Sequence, residues 1–216
     1  MRNSCLTILL SLSFLPAAAL AAPPQQMEIA YEVARNGMAL AQVSQRLEHD
    51  GRSYRLSETW KGKGVFALRG EAARSSHGAV AADGLRPQKF EDKRSGRETQ
   101  HAEFDPAAKT PTLQRQDQLS FMWTLAFAPP RDLVTASVAD GKRVTTYTYK
   151  VSGREKVKTP AGEFNALKLV KQKDSPDDKT TEIWLAAEHN YLPVRILVVE
   201  KDGSRIDQVA IRISPK

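Results

Sequence analysis

The sequence predicts a mainly β fold: a strongly curved antiparallel sheet or a β-barrel, with one short apolar helix that plugs or covers it. Three observations predict this fold. Short runs that alternate apolar and polar residues recur along most of the chain, as they do in half-buried strands. Turn residues, above all glycine, separate these runs at short intervals, which is typical of hairpins. One apolar segment, residues 117–128, instead has the spacing of a helix.

The first 21 residues are expected to be a secretory signal peptide. Met1-Arg2 supplies a positive charge, an apolar run extends from Leu6 to Leu15, and Ala19-Leu20-Ala21 offers small residues at a cleavage site. The run is shorter than the roughly 20 residues that span a bilayer, which makes a membrane anchor the weaker alternative. Cleavage would remove Cys5, the only cysteine, and would leave a chain without disulfides or thiolate ligands.

Composition and export together limit the classes of partner. The chain carries 32 Lys and Arg against 25 Asp and Glu, spread along its length. We expect a periplasmic protein whose partners are lipid-like or anionic envelope groups, or another envelope protein, and not nucleic acid. No later segment is apolar enough for a membrane helix, so an integral membrane protein is not expected. Residues 22–26 are predicted to form a flexible leader, and residues 27–216 a single antiparallel β domain.

Hairpin signals place the N-terminal strands. Residues 27–34 alternate with a period of two, and Asn36-Gly37 suits a two-residue hairpin because both residues tolerate positive φ. The apolar phase of the next run slips between Leu40 and Ala41, which predicts a bulge. Asp50-Gly51 marks a second hairpin.

The remaining strands follow the same pattern. Residues 65–73 are predicted to be a strand with Phe66 and Leu68 on one face. Short connections with turn residues then predict a series of antiparallel strands. They are expected over 84–93, 97–104, 144–151, 164–171, 181–186, 193–200 and 205–214.

The segment from Asp117 to Ala128 is predicted to be the helix. Asp117 is a good N-cap residue, and Pro129-Pro130 ends the run. The helix would be apolar almost all round, with Ser120 and Thr124 as its main polar edge. Such a helix must be covered by protein or by a ligand.

Three motifs in order carry a resemblance to a known family. They are residues 77–90 (HGAVAADGLRPQKF), residues 158–164 (KTPAGEF) followed by Leu167 and Leu169, and residues 183–185 (IWL) with 190–196 (NYLPVRI). Behind a signal peptide, the chain from about Tyr31 to Ile213 resembles the periplasmic proteins grouped as domain of unknown function 3108. The resemblance implies an exported β protein, and it implies no set of catalytic residues. The curved sheet with a helix is also similar to periplasmic lipoprotein carriers that hold acyl chains, a likeness of fold that does not imply function.

No pattern predicts catalysis, a cofactor or a metal. No pair of the four histidines has metal-ligand spacing, and surface histidine is the simpler interpretation. No nucleophile elbow and no glycine-rich phosphate loop is present. We therefore expect a protein that is not an enzyme. An envelope hydrolase is the least favoured hypothesis, since it would need a histidine to meet a carboxylate or serine in one cleft. The histidines are His49, His77, His101 and His189.

Aromatic and methionine residues are the candidate ligand-binding group. Four lie on the predicted helix and two flank a flexible glycine stretch. They could line an apolar cavity for a hydrophobic or amphipathic envelope ligand, with the helix as its lid and basic residues near the rim for an anionic head group. Alternatively they fill a packed core, and the protein is a non-catalytic interaction or scaffold module. The candidates are Trp60, Phe66, Phe121, Met122, Trp123 and Phe127.

Overall fold

The computed structural model describes residues 23–175 and 177–215. The expected signal peptide lies outside them. Within these ranges the chain forms thirteen strands and one α-helix. The strands are β1 (Gln26–Arg35), β2 (Met38–His49), β3 (Ser53–Gly62), β4 (Ala72–Ala81), β5 (Gly84–Arg94), β6 (Gln100–Glu103), β7 (Gln116–Asp117), β8 (Leu133–Ala139), β9 (Val144–Thr159), β10 (Gly162–Lys171), β11 (Thr180–Ala186), β12 (Leu192–Val199) and β13 (Arg205–Pro215), and the helix is α1 (Ser120–Phe127).

All described strands belong to one sheet, in the order β6-β5-β4-β3-β2-β1-β13-β12-β11-β10-β9-β8-β7. Neighbours pair antiparallel except β7 and β8, which run parallel. The two ends of the sheet approach each other. A hydrogen bond shows this: the Gln116 side chain on the end strand β7 donates to the Leu85 carbonyl on β5 (2.9 Å), which is next to the other end strand. The sheet is thus a nearly closed barrel with one helix, and the predicted fold class is confirmed.

The first hairpin forms where the sequence predicts it. Asn36 and Gly37 have φ angles of 49° and 82°, the positive values that a tight two-residue turn requires. In the β1–β2 register Val33 faces Ala41 and Ala34 faces Ala39, so Leu40 is the extra residue of a bulge. The predicted bulge is confirmed.

The predicted strand over residues 65–73 is wrong in its first part. Gly64–Arg69 is a 3₁₀ turn, and β4 begins only at Ala72. The chain turns back so tightly at Gly62 that a Cβ there would lie 2.2 Å from the Phe66 carbonyl oxygen. Residues i and i+3 lie on one side of a 3₁₀ helix, so Val65 and Leu68 share a side, and both are exposed. Gly64–Arg69 is called the tip segment below.

The helix lies against the inner face of the curved sheet and joins two groups of core residues. Trp123 packs with the first group, which includes Tyr31 and Phe90. Phe121 and Leu125 pack with the second, on the inner faces of the later strands. Burial around most of its circumference is what the nearly all-apolar sequence of the segment requires.

The N-terminus and one flank of α1 are fixed by specific contacts. The Asp117 carboxylate accepts hydrogen bonds from the backbone amides of Leu119 (2.8 Å) and Ser120 (2.7 Å), so it caps the turn that leads into α1. The predicted start of the helix at Asp117 is wrong, because Asp117 pairs in β7 and α1 begins at Ser120, with Leu119 at its N-cap position. At Gly84, φ is +130° and a Cβ would lie 2.3 Å from Thr124 Cγ2. Glycine therefore permits the close approach of the helix to β5.

Candidate ligand-binding site

A row of polar side chains crosses the inner face of four neighbouring strands. Gln45, Glu58, Arg74 and Asp92 stand directly opposite one another from β2 to β5. Gln45 Nε2 donates to Glu58 Oε2 (2.6 Å) and Arg74 Nη1 donates to Glu58 Oε1 (3.1 Å). Arg74 Nε also donates to Asp92 Oδ2 (3.2 Å). This row is called the polar ladder below. In it, the Arg74 guanidinium lies between the two buried carboxylates and forms an ion pair with each.

The polar ladder holds two of the candidate tryptophans. The Trp123 Nε1 hydrogen points to Gln45 Oε1 (2.9 Å), which ties α1 to β2. Trp60 Nε1 donates to Glu58 Oε1 (2.6 Å), and the Arg74 guanidinium lies 5.9 Å from the centre of the Trp60 ring. Both indole rings are therefore fixed by hydrogen bonds as well as by packing.

The end of the ladder at Asp92 is stabilised by two arginines. Burial alone would raise the pKa of the Asp92 carboxyl, but hydrogen bonds from Arg94 and the charges of Arg74 and Arg94 outweigh it and hold that pKa below its usual value. Because the folded-state pKa is depressed, this group stabilises the fold above its unfolded pKa. That contribution is lost as the pH falls.

A second buried polar group lies beneath the start of α1. The Tyr54 hydroxyl and Ser76 Oγ are 2.7 Å apart, and Ser76 Oγ donates to Asp117 Oδ2 (2.6 Å). Asp117 is completely buried, and no cation among the described residues forms a salt bridge with it. Burial raises the pKa of the Asp117 carboxyl to about 6, in spite of the hydrogen bonds it accepts from Ser76, Ser120 and Leu119.

Asp117→Asn is expected to change how stability depends on pH. The pKa of about 6 in the folded state exceeds the ordinary 3.8, so Asp117 lowers the stability of the folded wild type as the pH rises between these values. Asn keeps the acceptor for the helix amides but does not titrate. Relative to wild type, the variant should gain about 3 kcal/mol of unfolding free energy between about pH 4 and pH 7.

Guanidinium denaturation across that pH range measures this difference. Asp117→Ala, which also removes the cap, is the matched control and should be destabilised at every pH. A constant offset between Asp117→Asn and wild type would show that Asp117 does not titrate in this range.

One apolar pocket opens beneath the tip segment. It has a volume of about 360 Å³, and the Trp60 and Phe66 rings line it. Arg35 is the one charged residue of its lining, and its Nη2 lies 3.0 Å from Ser204 Oγ. The other lining residues are Leu40, Ala41, Gly62, Gly70 and Ala72. This cavity is called the Trp60 pocket below.

A second, smaller cavity of about 250 Å³ lies at α1. Phe121 and Met122 line it together with Tyr147, and the Lys171 ammonium stands 5.3 Å from the centre of the Tyr147 ring. Arg74 also borders this cavity, so the polar ladder lies between it and Trp60. Its remaining lining residues are Gln118, Val138, Tyr149, Lys179 and Thr181.

The structure does not bring the six candidate residues into one site. Trp60 and Phe66 share the Trp60 pocket, whereas Phe121 and Met122 line the second cavity. Trp123 is fully buried in the core. Phe127 instead contacts the His49 ring edge-on at 5.6 Å. Side chains thus fill the space beneath the helix; the second cavity lies beside the helix, and no residue of α1 lines the Trp60 pocket.

The polar ladder was not predicted from the sequence. Glu58 falls in the same phase as Tyr54, Leu56 and Trp60, so a charged residue occupies an inward position of an apolar face. A charged residue at an inward position of an otherwise apolar row was the signal in the sequence that indicated a buried polar contact. The partners of Glu58 come from strands that only the register identifies.

The histidines lie apart from these cavities. His49 Nε2 is 3.0 Å from the Pro23 carbonyl oxygen, at the start of the described chain. His77 and His101 are exposed. Within residues 23–175 and 177–215, no three His, Cys, Asp or Glu side chains are grouped so that they could hold a metal ion. None of the helices there has the length and apolarity needed to cross a membrane.

The family of the chain follows from its sequence. The family model described as protein of unknown function (DUF3108) matches residues 26–209. The chain belongs to the DUF3108 family. The matched region contains every strand from β1 to β12, the Trp60 pocket and the cavity at α1, and it confirms the resemblance seen in the sequence motifs. No curated protein matches this DUF3108 chain.

Three solved structures are similar to this DUF3108 chain, and the first of them supports its fold. A β-barrel-like protein of domain of unknown function DUF1849 from Brucella abortus has a TM-score of 0.51 at 9% identity, with 90% of this chain and 99% of that chain covered. A Bacteroides fragilis protein described as exported, with a YmcC-like fold, gives 0.42 at 13% identity, with 91% and 100% covered. MucB in complex with MucA(peri) gives 0.39 at 14% identity, with 88% and 50% covered. The first similarity is one of fold alone.

Proposed function

We propose that this DUF3108 protein is a non-enzymatic periplasmic protein that binds an amphipathic envelope ligand, with the apolar part of the ligand in the Trp60 pocket. The observation that carries the proposal is the pocket itself. Aromatic and aliphatic side chains line most of it, and Arg35 is its one charged lining residue. Ligand sites of this kind combine an apolar lining with a few placed polar groups.

Two further features support an amphipathic ligand. Arg35 is half exposed, and its ion pair with Asp202 (3.4 Å) is exposed as well, so an anionic head group can compete with Asp202 for the guanidinium. Trp60 is held by Glu58 and flanked by Arg74, which gives the pocket a rigid aromatic wall before any ligand binds. The periplasmic location rests on the predicted signal peptide at residues 1–21.

Phe66→Ser is expected to weaken binding of a single-chain amphipath about tenfold, because it removes an aromatic wall of the pocket without touching the core. The measurement is a titration of the purified protein with lysophosphatidylglycerol below its micelle concentration, followed by tryptophan fluorescence. Met122→Ser, in the second cavity, is the matched control and should bind like wild type.

Mass spectrometry of lipids extracted from the purified protein identifies a natural ligand. An equal loss in both variants, or a loss only in Met122→Ser, would contradict the assignment of the ligand to the Trp60 pocket.

The packed interior favours a second function, that of a scaffold module for another envelope protein. Tyr31, Phe90 and Trp123 have no exposed surface, so side chains fill the hollow of the sheet itself. A protein that carries no extractable lipid and gives no response to amphipaths would support this alternative over ligand binding.

A further inference from the structure

The turns at the two ends of the barrel differ in charge. Antiparallel pairing brings every second turn to the same end, and the bond from the Asn36 amide to the Arg205 carbonyl oxygen (2.9 Å) confirms that two of them adjoin. The segments at this end contain fourteen Lys and Arg against eight Asp and Glu. They are residues 35–38, 61–71, 93–99, 140–143, 171–179 and 200–205, and they are called the basic end below.

The opposite end has the reverse balance. Its connections contain four Lys and Arg against six Asp and Glu. They are residues 49–53, 81–84, 104–115, 128–132, 159–163 and 186–192. The net positive charge of the protein is therefore concentrated at one end, which gives the molecule a preferred orientation toward an anionic surface.

Apolar side chains project from the same basic end. Leu68 is 91% exposed and Val65 is 75% exposed, both on one side of the tip segment. Met38, at the start of β2, is 65% exposed, and the backbone bond from Lys63 to Leu40 (2.8 Å) places β2 beside the tip segment. Lys61 and Lys63 come directly before the tip segment in the chain.

We propose that the basic end docks on an anionic lipid bilayer, with Val65 and Leu68 of the tip segment inserted among the acyl chains. Exposed apolar side chains on a cationic surface gain from both apolar burial and attraction to anionic head groups, and neither contribution alone anchors a protein stably. The bilayer is the occupant because a patch of two or three apolar side chains is small for a protein interface, whereas the charge extends over the whole end of the barrel.

Vesicle co-sedimentation tests the proposal. Wild type is expected to sediment with phosphatidylcholine vesicles that contain about one third phosphatidylglycerol, to stay in solution with pure phosphatidylcholine, and to be released by salt. The double variant Val65→Ser/Leu68→Ser should lose about tenfold in apparent affinity. Leu133→Ser, which removes an apolar residue that is 59% exposed at the start of β8, is the matched control and should bind like wild type.

Three outcomes would overturn the proposal: no binding of wild type to the anionic vesicles, equal binding by wild type and the double variant, or an equal loss in Leu133→Ser. A dimer of wild type in solution that the double variant abolishes would also overturn it, since the surface would then join two copies. The lysophosphatidylglycerol titration of the same variants separates this docking surface from the Trp60 pocket. Val65 and Leu68 do not line that pocket, so their loss should leave amphipath binding unchanged.

Discussion

Trp123→Ala is expected to lower the free energy of unfolding by about 3–5 kcal/mol. Trp123 has no exposed surface, so the change removes an entire buried indole and leaves a cavity between α1 and the sheet. It also leaves Gln45 Oε1 without the hydrogen bond that it accepts from Trp123, which adds the cost of an unsatisfied buried polar atom. Chemical denaturation monitored by far-UV circular dichroism gives the value.

Two variants separate the sources of this loss. Trp123→Phe keeps an aromatic ring but not the donor, and it should cost about half as much as Trp123→Ala. Trp60→Phe removes a hydrogen bond to the same ladder from a ring that is partly exposed at a pocket, so it should cost about 1 kcal/mol. If Trp123→Ala were as stable as wild type, α1 would not be a packed part of the core.

Arg74→Met is expected to destabilise the fold by about 3–5 kcal/mol at neutral pH. Arg74 is the cation that both Glu58 and Asp92 contact, and the side chains of these acids are only 4% and 2% exposed. Asp92 retains Arg94, but Glu58 loses its cation and remains a buried carboxylate. A buried charge that has lost its partner costs far more than the pair contributed.

The pH dependence and a rescue variant test this explanation. The deficit of Arg74→Met should shrink as the pH falls, because the Arg74 charge helps to hold the pKa of the Asp92 carboxyl below its usual value and the stability gained in this way is lost as the pH falls. Adding Glu58→Gln to Arg74→Met should recover at least half of the loss, since the amide side chain carries no charge and its oxygen can still accept from Trp60. A deficit that is the same at every pH and in the double variant would mean that packing, and not charge, is the role of Arg74.

The fold was largely predictable from local signals. The Asn36-Gly37 turn, the bulge at Leu40 and the capped apolar helix are each set by a few neighbouring residues, so their patterns are visible in one sequence. The tip segment was mispredicted because alternation of Phe66 and Leu68 also suits a strand. The chain instead turns back close to Gly62 and forms a 3₁₀ turn, a feature that alternation does not reveal.

The site was less predictable because its parts are distant in the sequence. Phe66 and Trp60 lie near each other in the chain and do share a pocket, whereas the Phe121 and Met122 pair lines a different cavity. Whether an apolar side chain lines a cavity or fills the core depends on which strands the curvature brings together. That depends on the register of the whole sheet and not on periodicity.

The position of β1 beside β13 has a consequence for how the protein folds. These two strands lie in the interior of the strand order, and residues 27 and 215 are paired across them. Without β13 the strands would fall into two separate sheets, β6 to β1 and β12 to β7, each with a free edge next to the missing strand. β13 thus joins the two halves. Its pairing with β1 brings together residues 27 and 215, which are far apart in the sequence, so slow, late completion of the barrel is the expected kinetic behaviour.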